Sequence, residues 1–216
     1  MLEGIEAIIF DLDGTLIDSM GVWREIDIEY LGKLGYDLPS DLQQCLEGMC
    51  MHDVAIYMKD RFNIPDSLQD IEKTWNDMAL YKYTHEVKLK EGVQKLLDYA
   101  RAKGIKLGIA TSNSRLLTEA FLDSNGLAHM FDHVLTGCET FKSKPDPEVY
   151  FAAAKGLNAD PSKCLVFEDI TKGILAGKNA GMRVCGVEDI HSAWARDEKI
   201  SLSDYYIESY NEIEYV

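Results

Sequence analysis

The chain has 216 residues, of which 46% are hydrophobic and 27% charged, as is typical of a soluble globular protein. Its net charge of −15 disfavours nucleic acid and anionic membrane surfaces, so we expect neither as a partner. No apolar run approaches the roughly 20 residues of a membrane span, and the first predicted strand lies too near Met1 for a signal peptide. The five cysteines form no CxxC pair, so we expect a reducing, cytoplasmic location without disulfides or zinc.

The first predicted strand is an apolar run from Ile5 to Phe10 that ends in two aspartates, Asp11 and Asp13. A continuous apolar run is typical of a strand buried on both faces in a parallel α/β sheet. Alternate residues of an extended chain point the same way. Both carboxylates therefore face the crevice at the strand's carboxyl end, where open α/β sheets bind ligands. Paired carboxylates favour a cation, and oxygen ligands suit Mg²⁺, whereas a calcium loop would need further ligands that this segment lacks.

The rest of the chain divides into a helical stretch and an alternating stretch. Residues 16–89 show the periodicity of about four helices. From Gly92 onward we predict helices over 93–103, 116–125, 145–155 and 171–180, and strands over 105–110, 131–135, 164–167, 183–187 and 205–207. Alternating strands and helices predict a parallel, doubly wound sheet. The expected fold class is α/β, with a core domain of residues 1–15 and 90–216 interrupted by an all-helical domain at 16–89.

Polar residues follow two further predicted strands. Thr111, Ser112 and Asn113 come between a strand and a helix, where free N–H groups and the helix dipole favour anions. Ordinary N-capping by Asn113 or Ser114 is the alternative explanation. Glu168 and Asp169 end another apolar strand as adjacent carboxylates.

A lysine precedes one of the predicted helices of the core. Lys144 stands before Pro145, which we place in the first turn of that helix. A lysine there can reach the crevice at the strand ends, and Lys142 is the alternative.

These four segments, in this order, resemble the motifs of the haloacid dehalogenase (HAD) superfamily, in its phosphatase branch and similar to β-phosphoglucomutase-like proteins. The resemblance implies a phosphatase acting on a small phosphorylated metabolite with Mg²⁺ as cofactor. It implies that Asp11 is the nucleophile and Asp13 the general acid/base. The implied phosphate-binding residues are Thr111, Ser112, Asn113 and Lys144. The implied metal site comprises Asp11, the backbone carbonyl of Asp13, and Asp169, with Glu168 as a ligand or as a partner of the ligands.

The resemblance also makes the helical insert a cap over the site. The candidates for its substrate-facing side are Trp23, Met49, Met51, His52 and Trp75, although the helical spacing of Trp75 favours the insert's own core. Ile170 stands where the family often has a serine, which removes a helix-capping hydrogen bond, while Gly173 is retained.

Two other functions remain as alternatives. One is a sugar-phosphate mutase of the β-phosphoglucomutase type, whose cap histidine and arginine are replaced here by Trp23 and Met51. The other is a catalytically silent metabolite-binding module. We expect a monomer.

Overall fold

The structure, a computed structural model, describes residues 1–139 and 142–215. Its centre is a six-stranded sheet in the order β3-β2-β1-β4-β5-β6, in which every neighbouring pair is parallel. The strands are β1 (Ala7–Phe10), β2 (Lys106–Ala110), β3 (His133–Leu135), β4 (Cys164–Glu168), β5 (Arg183–Val187) and β6 (Tyr205–Ile207). The predicted α/β class and parallel sheet are confirmed.

Four helices lie between β1 and β2 before the first helix of the core. They are α1 (Met20–Lys33), α2 (Leu42–Leu46), α3 (Met51–Phe62) and α4 (Leu68–His85). The core helices are α5 (Val93–Ala102), α6 (Arg115–Ser124), α7 (Glu148–Gly156), α8 (Thr171–Asn179) and α9 (Arg196–Leu202). We call α1 to α4, with their connections, the helical insert.

Two details of the helices differ from the sequence prediction. Helix α7 begins at Glu148, with Pro147 at its N-cap, so Pro145 lies before the helix and not in its first turn. Helix α9 was not predicted, because its seven residues are mostly charged and show no apolar stripe.

The two faces of the sheet carry separate apolar layers. Ile8 and Phe10 of β1 belong to the layer that includes α5, α6 and the insert. Ala7 and Ile9 point to the opposite layer, which is built with α7 and α8. All four side chains are fully buried, which explains why β1 is a continuous apolar run and not an alternating one.

The insert has packing of its own. Trp75 is 2% exposed and contacts Tyr30 edge to face, with 5.6 Å between the ring centroids, as expected for a core residue of the insert. Cys164 and Cys185 are buried as small apolar residues, and the four cysteines whose side chains are described are free. Within the described part of the chain, no helix combines the length and apolar character needed to cross a membrane.

Candidate active site

The strand order reverses between β1 and β4, and the polar strand ends meet there. β1 and β4 pair in register, so that Phe10 lies beside Phe167. The backbone N–H of Asp11 then donates to the carbonyl of Phe167 at 3.0 Å. This register places Asp11 next to Glu168 and Asp169, and the neighbouring β2 brings Thr111 to the same edge. Such a switch point is where doubly wound sheets bind ligands.

Lys144 lies among these carboxylates although only 6% of its surface is exposed. Its Nζ donates to Asp11 Oδ1 at 2.7 Å and also to Glu168 Oε1. The hydroxyl of Tyr150 donates to the same Glu168 oxygen at 3.0 Å. Lys142 instead extends to the surface, where its Nζ lies 3.1 Å from Asp146 Oδ2. Lys144 is therefore the lysine that reaches the crevice.

Glu168 uses its second oxygen to hold the turn that follows β4. Its Oε2 accepts hydrogen bonds from the backbone N–H groups of Asp169, at 2.9 Å, and Ile170, at 3.2 Å. Ile170 provides no side-chain cap to α8, as its sequence predicts. A Cβ at position 173 would lie 1.8 Å from Glu168 Oε1, so Gly173 gives this carboxylate its space.

Asp169 is held by residues that follow β1. Its Oδ1 accepts a hydrogen bond from the hydroxyl of Thr15 at 2.8 Å. Gly14 has a φ of +77°, and a Cβ there would lie 2.4 Å from Asp169 Oδ2. Thr15 was not among the predicted site residues, although its position two residues after Asp13 could have indicated that it belongs to the site.

The charge of this centre fits a divalent cation. Asp11, Glu168 and Asp169 are buried, and each offers a carboxylate oxygen within 4.8 Å of the others. Burial raises the pKa of Asp11 to about 8 despite the opposing effect of Lys144. Burial and the charges of Glu168 and Asp11 raise the pKa of Asp169 well above its usual range. One lysine leaves these three carboxylates with excess negative charge, which a bound oxygen-seeking cation would neutralise.

The carboxylate of Asp13 lies outside that cluster and is held by four donors. Ser19 Oγ donates to Oδ1 at 2.6 Å, and the Tyr83 hydroxyl donates to the same oxygen. Trp23 Nε1 contacts Oδ1 at 3.4 Å, and Asn113 Nδ2 donates to Oδ2 at 2.8 Å.

Tyr83 is a participant that the sequence did not reveal. Its hydroxyl accepts hydrogen bonds from Trp23 Nε1 at 2.7 Å and from Asn113 Nδ2 at 2.9 Å. Tyr83 is fully buried. Burial and the nearby carboxylate of Asp13 raise its pKa well above 10, so that it stays a neutral donor. It lies 70 residues from Asp13 in the chain, and no motif surrounds it.

The turn after β2 presents donors at the same edge. The backbone N–H of Asn113 donates to Thr111 Oγ1 at 3.0 Å. Ser114 caps α6 by accepting from the backbone N–H of Leu117, and its own N–H donates to Asn113 Oδ1 at 2.6 Å. Ser114 is therefore the residue that caps the helix, while Thr111 and Asn113 face the cavity described next.

A cavity of about 580 Å³ lies between the strand ends and the insert. Its lining includes all the predicted core-site residues except Glu168, namely Asp11, Asp13, Thr111, Ser112, Asn113, Lys144 and Asp169. The insert contributes Trp23, Met49 and Met51, which were candidates for this side, together with Arg24 and with Trp75, which the helical spacing had assigned to the insert's own core. His191 comes from the core domain.

His52 was named as a candidate for the substrate-facing side of the insert, with the insert's own packing favoured over substrate contact. It does not line the cavity; its side chain is 53% exposed, and its Nδ1 lies 2.7 Å from Glu72 Oε1. Its helix turns it towards the surface of the insert.

Fold and site together define a doubly wound α/β enzyme with an acidic centre at the switch point of its sheet. The chain belongs to the haloacid dehalogenase-like hydrolases, whose family model matches residues 8–187. It is 31% identical over 189 residues to a phosphorylated carbohydrates phosphatase of Thermotoga maritima, covering 87% of each chain.

Solved structures agree with this assignment. The crystal structure of CbbY from Rhodobacter sphaeroides in complex with phosphate matches with a TM-score of 0.86 and 25% identity, over 96% of each chain. A β-phosphoglucomutase structure from Clostridium difficile matches with a TM-score of 0.83 and 23% identity, over 98% of this chain and 94% of that one, and shows the shared fold.

Proposed function

We propose that the protein is a Mg²⁺-dependent phosphatase that hydrolyses a small phosphorylated metabolite, of the phosphorylated-carbohydrate class, through an aspartyl-phosphate on Asp11. The main observation that supports this proposal is the 2.7 Å hydrogen bond from Lys144 Nζ to Asp11 Oδ1 inside a buried acidic cluster. The ammonium holds one oxygen of Asp11 and leaves the other to attack. The substrate class rests on the named activity of the Thermotoga maritima relative.

Phosphate binding falls to the groups around Asp11. The hydroxyl of Thr111, the backbone N–H of Ser112 and the ammonium of Lys144 would surround the phosphoryl oxygens. Asn113, whose Nδ2 donates to both Asp13 and Tyr83, would hold Asp13 beside them. Charge spreads over the phosphoryl oxygens in the transition state, and donors already in place there lower the barrier. The protein's net charge of −15 repels phosphorylated molecules, so this local set of donors has to offset it.

The metal would be held by Asp11, Asp169 and the backbone carbonyl of Asp13. When bound, Mg²⁺ orients the phosphoryl group and neutralises charge as it develops. Both oxygens of Glu168 already accept hydrogen bonds, from Lys144 and Tyr150 on one side and from backbone N–H groups on the other. We therefore assign Glu168 to positioning Lys144 and the metal-binding turn.

The reaction divides into two displacements at phosphorus. In the first, a carboxylate oxygen of Asp11 attacks, the bond from phosphorus to the ester oxygen breaks, and Asp13 gives its proton to the leaving alkoxide. In the second, Asp13 takes a proton from water, which attacks phosphorus and releases inorganic phosphate and free Asp11. Ser19, Tyr83 and Asn113 hold Asp13 beside Asp11.

The helical insert, with proposed boundaries at residues 16–89, would serve as a cap that excludes water. Besides the hydrogen bonds of Ser19, Trp23 and Tyr83 to Asp13, it makes further polar contacts with the core. Lys172 donates its Nζ to the carbonyl of Glu47 at 2.8 Å, Ser143 Oγ donates to Asp53 Oδ2 at 2.6 Å, and Ser114 Oγ donates to Asn76 Oδ1 at 2.6 Å.

Purified protein should release inorganic phosphate from p-nitrophenyl phosphate and from a subset of sugar and polyol phosphates, and only with Mg²⁺. The measurement is phosphate release across a panel of phosphorylated metabolites, with and without chelator. Full activity in chelator, with metal-free protein confirmed by elemental analysis, would contradict the metal assignment. A complete lack of turnover would favour the silent binding module.

A sugar-phosphate mutase is the second candidate, because Arg24 and His191 line the cavity and the fold matches a β-phosphoglucomutase. Neither residue stands at the sequence position of the mutase's cap groups, which hold Trp23 and Met51. We therefore expect β-glucose 1-phosphate to yield inorganic phosphate or no product. Efficient conversion to glucose 6-phosphate would establish the mutase instead.

Asp13→Asn should reduce turnover of alkyl phosphates roughly 100-fold more than turnover of p-nitrophenyl phosphate. An alkoxide needs a proton to leave, whereas p-nitrophenolate needs little help. Single-turnover kinetics on both esters measure the difference, and mass spectrometry would detect phosphate trapped on Asp11.

Asp18→Asn is the matched control for that variant, because Asp18 lies in the same segment and is exposed. It should behave as wild type. Equal losses on both esters in Asp13→Asn, together with weakened Mg²⁺ binding, would assign Asp13 a purely structural or metal-binding role.

A monomeric, cytoplasmic enzyme remains our expectation. Light scattering of the purified protein tests the first part of it, and fractionation of cells tests the second.

A further inference from the structure

Helix α1 turns one stripe of side chains towards the cavity. Met20, Trp23, Arg24 and Asp27 all line it, at the spacing of one helical face. Trp23 marks the catalytic end of this stripe, because its Nε1 lies 3.4 Å from Asp13 Oδ1. Asp27 is one turn further along, about 6 Å by the rise of a helix. With a phosphoryl group at Asp11, the rest of a substrate in this cavity would therefore extend towards the carboxyl group of Asp27.

Asp27 differs from the other carboxylates of this region because, within residues 1–139 and 142–215, no residue makes a hydrogen bond or an ion pair with its side chain. Asp13, by contrast, has several donors, Glu47 accepts from the backbone N–H of Lys172 at 3.1 Å, and Asp189 pairs with Lys90 at 2.8 Å. Asp27 is partly buried, and burial raises its pKa to about 7. A solvated surface aspartate would show no such shift.

The insert lines the cavity mostly with apolar side chains, beside the polar residues Arg24, Ser40, Gln43 and Glu47. Leu38, Leu42, Leu46, Met49 and Val54 line the same cavity. In pockets of this kind a few polar groups orient the ligand. A carboxyl group left unpaired among apolar neighbours is costly, and a ligand that brings hydrogen-bonding groups would remove that cost.

The chemistry of Asp27 selects among possible leaving groups. A carboxyl group with a pKa near 7 accepts hydrogen bonds when ionised and donates one when protonated. A hydroxyl group of the substrate can donate to the ionised carboxylate and accept from the protonated carboxyl group. A second phosphate or a carboxylate on the substrate would be repelled by the ionised form. Arg24 does not offset this repulsion strongly, because it is exposed and its charge is screened by solvent.

We infer that Asp27 is a specificity-determining residue that hydrogen-bonds the hydroxyl groups of an uncharged, polyhydroxylated leaving group. This inference rests on the proposed phosphatase function and narrows its substrate class. It places a sugar or polyol monophosphate in the cavity, with its phosphoryl group at Asp11 and its hydroxyl groups at Asp27. The apolar walls then pack against the carbon skeleton.

The test compares kcat/KM of wild type, Asp27→Ala and Asp27→Asn on sorbitol 6-phosphate, p-nitrophenyl phosphate, phosphoethanolamine and fructose 1,6-bisphosphate. In Asp27→Ala the ratio of kcat/KM on sorbitol 6-phosphate to that on p-nitrophenyl phosphate should fall about 10- to 100-fold, mainly through KM. Asp27→Asn should recover part of the ratio, because an amide also accepts and donates. Wild type should prefer sorbitol 6-phosphate to the amine and the bisphosphate.

Glu29→Ala is the matched control on the same helix. Glu29 is exposed and pairs with Lys33 at 2.7 Å, away from the cavity, so the ratio should not change. Thermal unfolding verifies that each variant is folded. An unchanged ratio in folded Asp27→Ala, or in folded Asp27→Asn if the alanine variant does not fold, would overturn the inference and leave the phosphatase intact.

Other outcomes also decide the question. If wild type prefers phosphoethanolamine and both Asp27→Ala and Asp27→Asn lose that preference equally, then Asp27 binds a cationic group of the substrate and not a hydroxyl group. If wild type prefers fructose 1,6-bisphosphate, then the cavity binds a second phosphate group of the substrate, and the inference is wrong. Absence of turnover on all four substrates in wild type would remove the proposed function, and the inference with it.

Discussion

Asp11→Asn is expected to lower kcat on p-nitrophenyl phosphate by at least about 10⁴-fold, as loss of a catalytic nucleophile typically does. The amide keeps the shape of the carboxyl group and still accepts the hydrogen bond from Lys144 Nζ, so the cluster stays assembled. It cannot attack phosphorus as a carboxylate does. Steady-state kinetics measure the loss, and mass spectrometry after rapid quenching should detect a phosphoenzyme in wild type only.

The same substitution should leave the fold intact. Burial raises the pKa of Asp11 to about 8, with the charge of Glu168 acting in the same direction. Removing the charge of Asp11 therefore relieves repulsion, and the melting temperature of the metal-free variant should equal or exceed that of wild type. Asp197→Asn, on the exposed side of α9, is the control. Residual turnover above about 1% of wild type in a folded variant would contradict the covalent mechanism.

Asp169→Ala is expected to lower activity at least about 100-fold, since loss of a residue that merely supports a metal ligand typically costs 10- to 100-fold. Asp169 offers an oxygen to the acidic cluster and is held there by Thr15 at 2.8 Å. Raising the Mg²⁺ concentration should restore part of the activity if the remaining ligands still bind it weakly.

Stability provides a second measurement for Asp169 that does not depend on turnover. Mg²⁺ at a hundredfold excess over its Kd should stabilise wild type by about 2.7 kcal/mol. For a chain of this size that raises the melting temperature by roughly 5–10 °C. The increase should disappear in Asp169→Ala and persist in the surface variant Asp197→Asn. An equal increase in Asp169→Ala would place the metal elsewhere.

The role of Glu168 could not be predicted from the sequence motif that contains it. Its sequence position left open whether it binds the metal or supports the ligands. In the fold its oxygens are occupied by Lys144, Tyr150 and backbone N–H groups, and Gly173 provides the space. Tyr150 lies on α7, and the position of α7 relative to β4 depends on packing against the sheet. The hydrogen bond between Tyr150 and Glu168 therefore cannot be predicted from a local sequence pattern.

The sequence alone was sufficient for the order of the strands and of helices α1 to α8, for the parallel sheet and for the polar residues at the strand ends. These features are local: a buried strand is a continuous apolar run, and a carboxylate after it must lie at the carboxyl edge. For the same reason the sequence predicted Asp11, Thr111 and Asp169 as neighbours, whereas the prediction for Lys144 rested on its position before a helix and on the family resemblance.

Only the tertiary structure decided which residues of the insert face the site. Tyr83 donates to Asp13, His52 turns to the surface, and Asp27 lines the cavity with no hydrogen-bond partner in the described part of the chain. The helical period places each residue on a face of its own helix but does not say what that face meets. That depends on how the insert packs against the core, through contacts such as Glu47 with Lys172, which join residues 125 positions apart in the chain.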